Sequence, residues 1–74
     1  MIAFLHGELA SKDANRVVVD VSGVGYLLEI PPGSEHELPD VGSEVKFYTH
    51  YYIREKEVKL YGFWSLDELK VFTI

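Results

Sequence analysis

The densest run of charge in this chain is Arg54-Glu55-Lys56-Glu57, two cations alternating with two carboxylates. Paired carboxylates serve as general acid and base only where their surroundings push their pKa values apart. No apolar pocket is legible around Glu55/Glu57 or Glu35/Glu37 to raise either member, and Glu57 is expected to pair with Arg54. His6, His36 and His50 are scattered, with no second histidine at i+2 or i+4 to make a ligand pair. The chain has no cysteine, so neither a zinc cluster nor a disulfide is available. Ser65 stands before Leu66-Asp67-Glu68, where it reads as a helix cap and not as a nucleophile. Gly23-Val24-Gly25 follows a strand but opens no helix, and neither a third glycine nor a P-loop lysine accompanies it. Nothing here points to an enzyme, a metal or a cofactor.

The aromatic residues carry a different chemistry. Tyr48, Tyr52, Tyr61 and Phe63 share one face if the strands alternate regularly. On an open barrel such rings could stack nucleic-acid bases. The alternative is that they pack under a neighbouring subunit or another domain. The charge balance favours that alternative: seven dispersed Lys and Arg stand against twelve Asp and Glu, for a net charge of −5. Nonspecific affinity for nucleic acid depends on cations that displace counterions from phosphates.

The charged tip needs strands to carry it. Residues 44–53 and 57–63 form a hairpin with Glu55-Lys56 as its loop. A four-residue loop, 54–57, keeps the same register. Arg54 then faces Glu57, Tyr52 faces Lys59, Ile53 faces Val58 and Tyr51 faces Leu60. One ribbon face is apolar (Tyr51, Ile53, Val58, Leu60), while the other carries a salt pair and a Tyr52–Lys59 contact. Glu-Lys is not a favoured turn pair, so the prediction rests on this agreement of faces. A tip made only of charges projects into water or towards a partner.

Residues 2–10 read as a first strand with Ala3, Leu5 and Leu9 on one face. Gly7 marks a bulge or a sharp coil. After a polar turn at 11–15, strands at 16–21 and 24–30 meet across Ser22-Gly23, pairing Val21 with Val24, Val19 with Tyr26 and Val17 with Leu28. Pro31-Pro32-Gly33 ends the run. Ser34-Glu35-His36-Glu37 has capping-box spacing, with room for one helical turn before Pro39, and 40–43 is a turn. Five short strands with frequent turns, and no edge loaded with lysine or proline, predict a small closed or nearly closed barrel.

The pattern changes at Ser65-Leu66-Asp67-Glu68, a capping box with acids at the positive end of the helix dipole. Leu66, Leu69 and Phe72 fall on one helical face. A helix this short cannot hold itself together. It either folds back onto the barrel or begins another domain, and the uncapped apolar ending Phe72-Thr73-Ile74 favours the second. The 74 residues make one small domain, which buries only about 60% of its unfolded surface. With no disulfide, oligomerisation is the common remaining support. A hydrophobic content of 47% is too high for disorder. No apolar run is long enough for a membrane span or a signal core, which is compatible with the cytoplasm.

Several stretches occur in a telling order and spacing: Met1-Ile2 with Leu5 and Gly7, Val19-Asp20-Val21 with Gly23-Val24-Gly25-Tyr26, and Leu38-Pro39 with Gly42 and Glu44. Tyr48-Thr49-His50, Ile53-Arg54-Glu55 and Leu60-Tyr61-Gly62-Phe63 follow. From Met1 to about Phe72 this set resembles the N-terminal domain of the RuvA family, the Holliday-junction-binding subunits of the bacterial branch-migration machine. The resemblance implies an all-β OB-fold, a small Greek-key barrel over residues 1–63. It also implies that 64–74 start the first helix of an absent helix-hairpin-helix domain. It further implies a non-catalytic, cytoplasmic subunit that forms homotetramers on four-way DNA junctions in recombination and repair. The junction would be gripped mainly by the second domain, and the ATPase RuvB by a third.

In that family the hairpin tip is an acidic pin with two neighbouring carboxylates at the junction crossover. Glu55 matches the first carboxylate, flanked by Arg54 and Lys56. Lys56 departs from the pattern, and the tip sums to zero, which implies a steric wedge more than a negative point. Phe4 and His6 stand where basic residues are common in relatives, so they are not carried over as DNA contacts. The alternatives are a single-strand-binding OB module that uses the aromatic face, and a plain oligomerisation or protein-docking domain.

Overall fold

The computed structural model describes residues 2–73, with side chains as far as Lys70. Five strands form a closed barrel: β1 (Phe4–Lys12), β2 (Arg16–Val21), β3 (Val24–Glu29), β4 (Glu44–Arg54) and β5 (Glu57–Phe63). A 3-10 helix (Ser34–Glu37) links β3 to β4, and α1 (Leu66–Thr73) follows β5. Around the barrel the order is β1-β2-β3-β5-β4, with β4 back against β1. This is the small barrel that the strand spacing predicts, and it is consistent with an OB-fold.

The β2–β3 hairpin has the predicted register, with Val21 opposite Val24, Val19 opposite Tyr26 and Val17 opposite Leu28. Ser22 and Gly23 both take positive φ, 52° and 91°. That conformation matches the right-handed twist of the strands it joins. The Asp20 carboxylate accepts from the Gly23 N–H at 2.7 Å and holds the turn. Val17, Val19 and Leu28 then point inward with Leu5, Leu9, Ile30, Leu38, Val45 and Phe47 to form the core. Trp64 sets its ring edge-on to Phe47, 5.4 Å between centroids, just beyond the end of β5.

Closure depends on a narrow seam. β3 and β5 run parallel and share a single register pair, Glu29 with Tyr61. Gly62 faces Leu28 there, and a Cβ on Gly62 would stand 2.9 Å from the Leu28 Cδ1. The strands meet so closely because one has no side chain at the contact.

Several local expectations shift. β1 runs two residues further than expected, to Lys12, and its irregularity lies between Leu9 and Ser11 rather than at Gly7. Gly7 is paired across to Val45 of β4 while its other side abuts the Asp20 carbonyl, where a Cβ would overlap. Its role is close approach. The extra residue falls at Ala10, just past the last β1–β4 register pair at Glu8, where Leu9 serves Gly42 and Ser43 through its backbone instead. The extended end lets Lys12 donate to the Pro39 carbonyl at 3.1 Å. No capping box forms at Ser34: Gly33 is the cap, and the Ser34 hydroxyl donates to the Pro31 carbonyl at 2.6 Å. The residue stands one position too far into the turn to cap it.

At α1 the serine half of the predicted box is present, with Ser65 Oγ accepting from the Glu68 N–H at 3.3 Å. The apolar helix face is only partly engaged, since Leu66 is exposed and Leu69 half-buried. The Phe72 side chain lies outside the described residues. α1 lies against β4 and β5.

The glycine contacts separate by substitution. Gly7→Ala drives a methyl into a backbone carbonyl that cannot rotate away, and is expected to cost about 1–3 kcal/mol or more. Gly25→Ala meets only the Val18 Cγ1, at an ordinary 3.4 Å, and should stay within about 1 kcal/mol of the parent. Urea unfolding of both variants measures the difference.

Candidate functional site on the projecting hairpin

The candidate site is the part of the β4–β5 hairpin that leaves the barrel. β4 has its last β1 partner at Tyr48, opposite Phe4, and β5 meets β3 only at Tyr61. Residues 49–54 and 57–60 therefore have register partners only within the hairpin. At about 3.4 Å per residue the tip stands roughly 17 Å beyond Thr49.

Thr49 marks the departure point. It is the only buried polar or charged residue among those described. Its N–H donates to the Ala3 carbonyl at 3.0 Å and its hydroxyl to the Ile2 carbonyl at 2.5 Å. A β-branched residue suits a strand, and its hydroxyl here carries the ladder one step past the last β1 pair.

The predicted register holds throughout, from Tyr51 opposite Leu60 to Arg54 opposite Glu57. The charge pairing does not follow it. The Glu57 carboxylate meets Lys59 of its own strand at 3.0 Å. The Arg54 guanidinium lies 5.3 Å from the centroid of the Tyr52 ring. One carboxylate faces two cations, and the planar, weakly hydrated guanidinium finds an aromatic face where an ammonium would not gain as much. The expected Arg54–Glu57 pair and Tyr52–Lys59 contact thus exchange partners. The hydrogen bond to Glu57, and then its charge, raise the Lys59 pKa above the ordinary 10.5.

Glu55 and Lys56 form the turn, fully in water, and neither takes positive φ. Among the described residues no ion pair involves either one. Arg54, Glu55 and Lys56 are placed together at the end of the ribbon, as the sequence predicts.

The two faces differ. On the inner face Leu60 packs against the core, but Ile53 and Val58 are 63% and 60% exposed, so the apolar face is left uncovered towards the tip. On the outer face β4 alternates Lys46, Tyr48, His50, Tyr52 and Arg54. The Tyr52 and Tyr61 rings meet edge-on at 6.2 Å, and His50 lies 6.5 Å from each. Lys46 sits 4.5 Å over Phe4 and 5.2 Å from Tyr48. Phe63, opposite Tyr48, differs from the other aromatics in being buried, and it lines an apolar cleft with Ile30, Pro31, Pro32 and Tyr61.

His50 lies on the face opposite Tyr51, as the strand alternation predicts. Sequence reasoning missed Lys46 and Phe4 as members of this face, and Lys46 could have been found from the i, i+2 alternation alone. Phe4 needed the β1–β4 register, which no local pattern reveals. The other histidines stay apart, with His6 near Glu44 at 3.5 Å and His36 near Glu35 at 3.4 Å. Among the described residues no group of three His, Asp or Glu comes together to hold a metal ion.

Residues 1–62, which take in the whole ribbon and the barrel but for the last residue of β5, match the family described as the RuvA N terminal domain. The chain belongs to the RuvA N-terminal domain family. It is 46% identical to a relative from Chlorobaculum tepidum over all 74 residues, which cover 37% of that protein. It is 50% identical to one from Xylella fastidiosa strain M12 over 72 residues, 97% of this chain and 37% of the relative. A relative from Shewanella halifaxensis is 46% identical over the whole chain and 36% of its own length. Each of the three is named Holliday junction branch migration complex subunit RuvA. The chain thus spans little more than a third of the length of these curated relatives. The RuvA family match takes in Thr49, both flanks of the tip and the Gly62 seam.

Two measurements test the ribbon. Glu57→Gln should let the Lys59 pKa fall back towards 10.5, read by NMR titration of the side-chain signals. Because folding raises this pKa, its contribution is fully present below the unfolded value and lost as pH rises through the folded one. The pair's contribution to stability is therefore present at neutral pH and disappears in alkali. Thr49→Val keeps the shape but removes the hydroxyl, and should cost about 1–3 kcal/mol in urea unfolding by leaving the Ile2 carbonyl unpaired.

Proposed function

We propose that this chain is the barrel domain of a RuvA-type subunit, which helps four copies assemble on a four-way DNA junction and presents its ribbon at the crossover. The observation that carries this reading is a charged tip held well clear of the barrel, in a chain whose residues 1–62 match the RuvA N-terminal domain. A double-stranded ribbon with backbone bonds along its length is stiff enough to act as a fixed obstacle. Residues 1–63 form the barrel unit, and 64–74 lead into a helix-hairpin-helix domain that makes most of the sugar-phosphate contacts. A third domain takes up RuvB, whose ATPase drives the arms, and the subunit itself is accessory and non-catalytic. The setting is cytoplasmic recombination and repair; among the described residues no helix is long and apolar enough to cross a membrane.

The tip chemistry selects the mode of action. Glu55 points a carboxylate into high dielectric, where a unit charge at 4 Å is worth about 1 kcal/mol. Lys56 stands beside it with the opposite sign, and salt screens what remains within about 10 Å. Glu57 is already partnered by Lys59. The wedge therefore works by bulk, parting strands that would otherwise lie straight across the crossover.

Glu55→Gln in the full-length protein is expected to change junction affinity and branch-migration rate less than about threefold, in keeping with the small worth of an exposed charge. A larger loss would assign an electrostatic role to Glu55 alone. Gel shifts of the 74-residue chain with four-way junction, duplex and single strand at two salt concentrations should show weak binding to all three. Sedimentation of the same chain reports self-association, and a strict monomer at high concentration would move the tetramer contacts to the rest of the protein.

A further inference from the structure

We propose that the outer face of the ribbon binds unpaired nucleotides by base stacking on Tyr52, His50 and Tyr61, with Arg54 and Lys46 at the two ends engaging the strand. The inference concerns the outer face, not the tip, and does not depend on the wedge mechanism.

Three observations point to this ligand class. First, the rings of His50, Tyr52 and Tyr61 form one surface, 6.2–6.5 Å apart, and all three are half-buried. Second, cations bracket them. Lys46 and Arg54 are eight positions apart on the same strand face, about 27 Å at 3.4 Å per residue. A guanidinium plane lying over a tyrosine is itself a stacking surface for a base. Third, this face is balanced in charge, whereas the chain as a whole carries −5. On it Lys46, Arg54 and Lys59 balance Glu29, Glu44 and Glu57, with Glu44 engaged by His6 and Glu57 by Lys59. Alternating cations and aromatics along a groove is the arrangement by which proteins hold single strands without reading sequence.

Other occupants fit less well. A second copy of the chain or a helix would be drawn to the uncovered apolar pair Ile53 and Val58, which lies on the opposite face. Duplex DNA offers phosphates but keeps its bases stacked, which leaves the rings unused. The bases exposed where strands separate present both phosphates and free π-faces.

The test uses the 74-residue chain with an oligothymidylate of about eight nucleotides, within the usual span for an OB-fold. An abasic strand of equal length serves as the control. NMR should show the ring signals of Tyr52, Tyr61 and His50 shifting with the oligothymidylate, and far smaller shifts with the abasic strand. Tyr52→Ala should weaken oligothymidylate binding by about fivefold to a hundredfold, as expected for one lost stacking partner, while Tyr52→Phe should retain it. Equal binding of the two strands would reduce the face to a charge contact and overturn the proposal. So would shifts confined to Ile53 and Val58, or ring signals that broaden with protein concentration in the absence of DNA, which would assign the face to a second copy. Four-way junction binding by the full-length protein with Tyr52→Ala is measured alongside. Retained junction binding with no oligothymidylate response would remove this inference and leave the junction reading intact.

Discussion

The contact between Leu28 and Gly62 is the constraint from which the rest of the molecule follows. A five-stranded sheet of this length has edges that must be hidden, and closing it requires two strands that are not neighbours in sequence to approach within side-chain distance. Here the approach is possible because β5 carries a hydrogen where every other residue would carry a carbon. The seam is short, a single register pair, so β3 and β5 diverge at once. That divergence frees the far half of β5 and turns the β4–β5 hairpin into a ribbon instead of two more staves of the barrel.

The opposite side of the ribbon is controlled just as locally. β1 follows β4 only to Tyr48, and Thr49 then spends both its N–H and its hydroxyl on the first residues of the chain. A buried polar group must be paired, and this one is paired twice. The barrel and the ribbon are therefore not two modules joined by a flexible link. They share a sheet whose neighbours fall away on each side within a few residues of one another.

Much of this is legible in the sequence, and the reason differs between parts. The two hairpins were readable because alternation, turn position and apolar faces had to agree, and only one register satisfied all three. The bulge at Ala10 was not readable: nothing in Glu8-Leu9-Ala10-Ser11 distinguishes it, since it arises where β1 stops serving β4. Gly7 gave a true signal with the wrong meaning, because a glycine in a strand marks a bulge or a close approach alike. The charge pairing on the ribbon failed for a related reason. Cross-strand register says which residues are opposite, but long side chains choose among several neighbours, and Arg54 had an aromatic ring within reach. The family resemblance implied the barrel fold, while the place of Phe4 and Lys46 on the outer face came from the structure.

The turn at Glu55-Lys56 has a last consequence. Neither residue adopts a positive φ, so no glycine or asparagine is demanded there, unlike the Ser22-Gly23 turn, where the backbone conformation restricts the choice. Any L-residue short of proline can occupy the end of the ribbon without disturbing the strands beneath it. The charge carried at the tip can thus be changed by substitution while the scaffold stays constant.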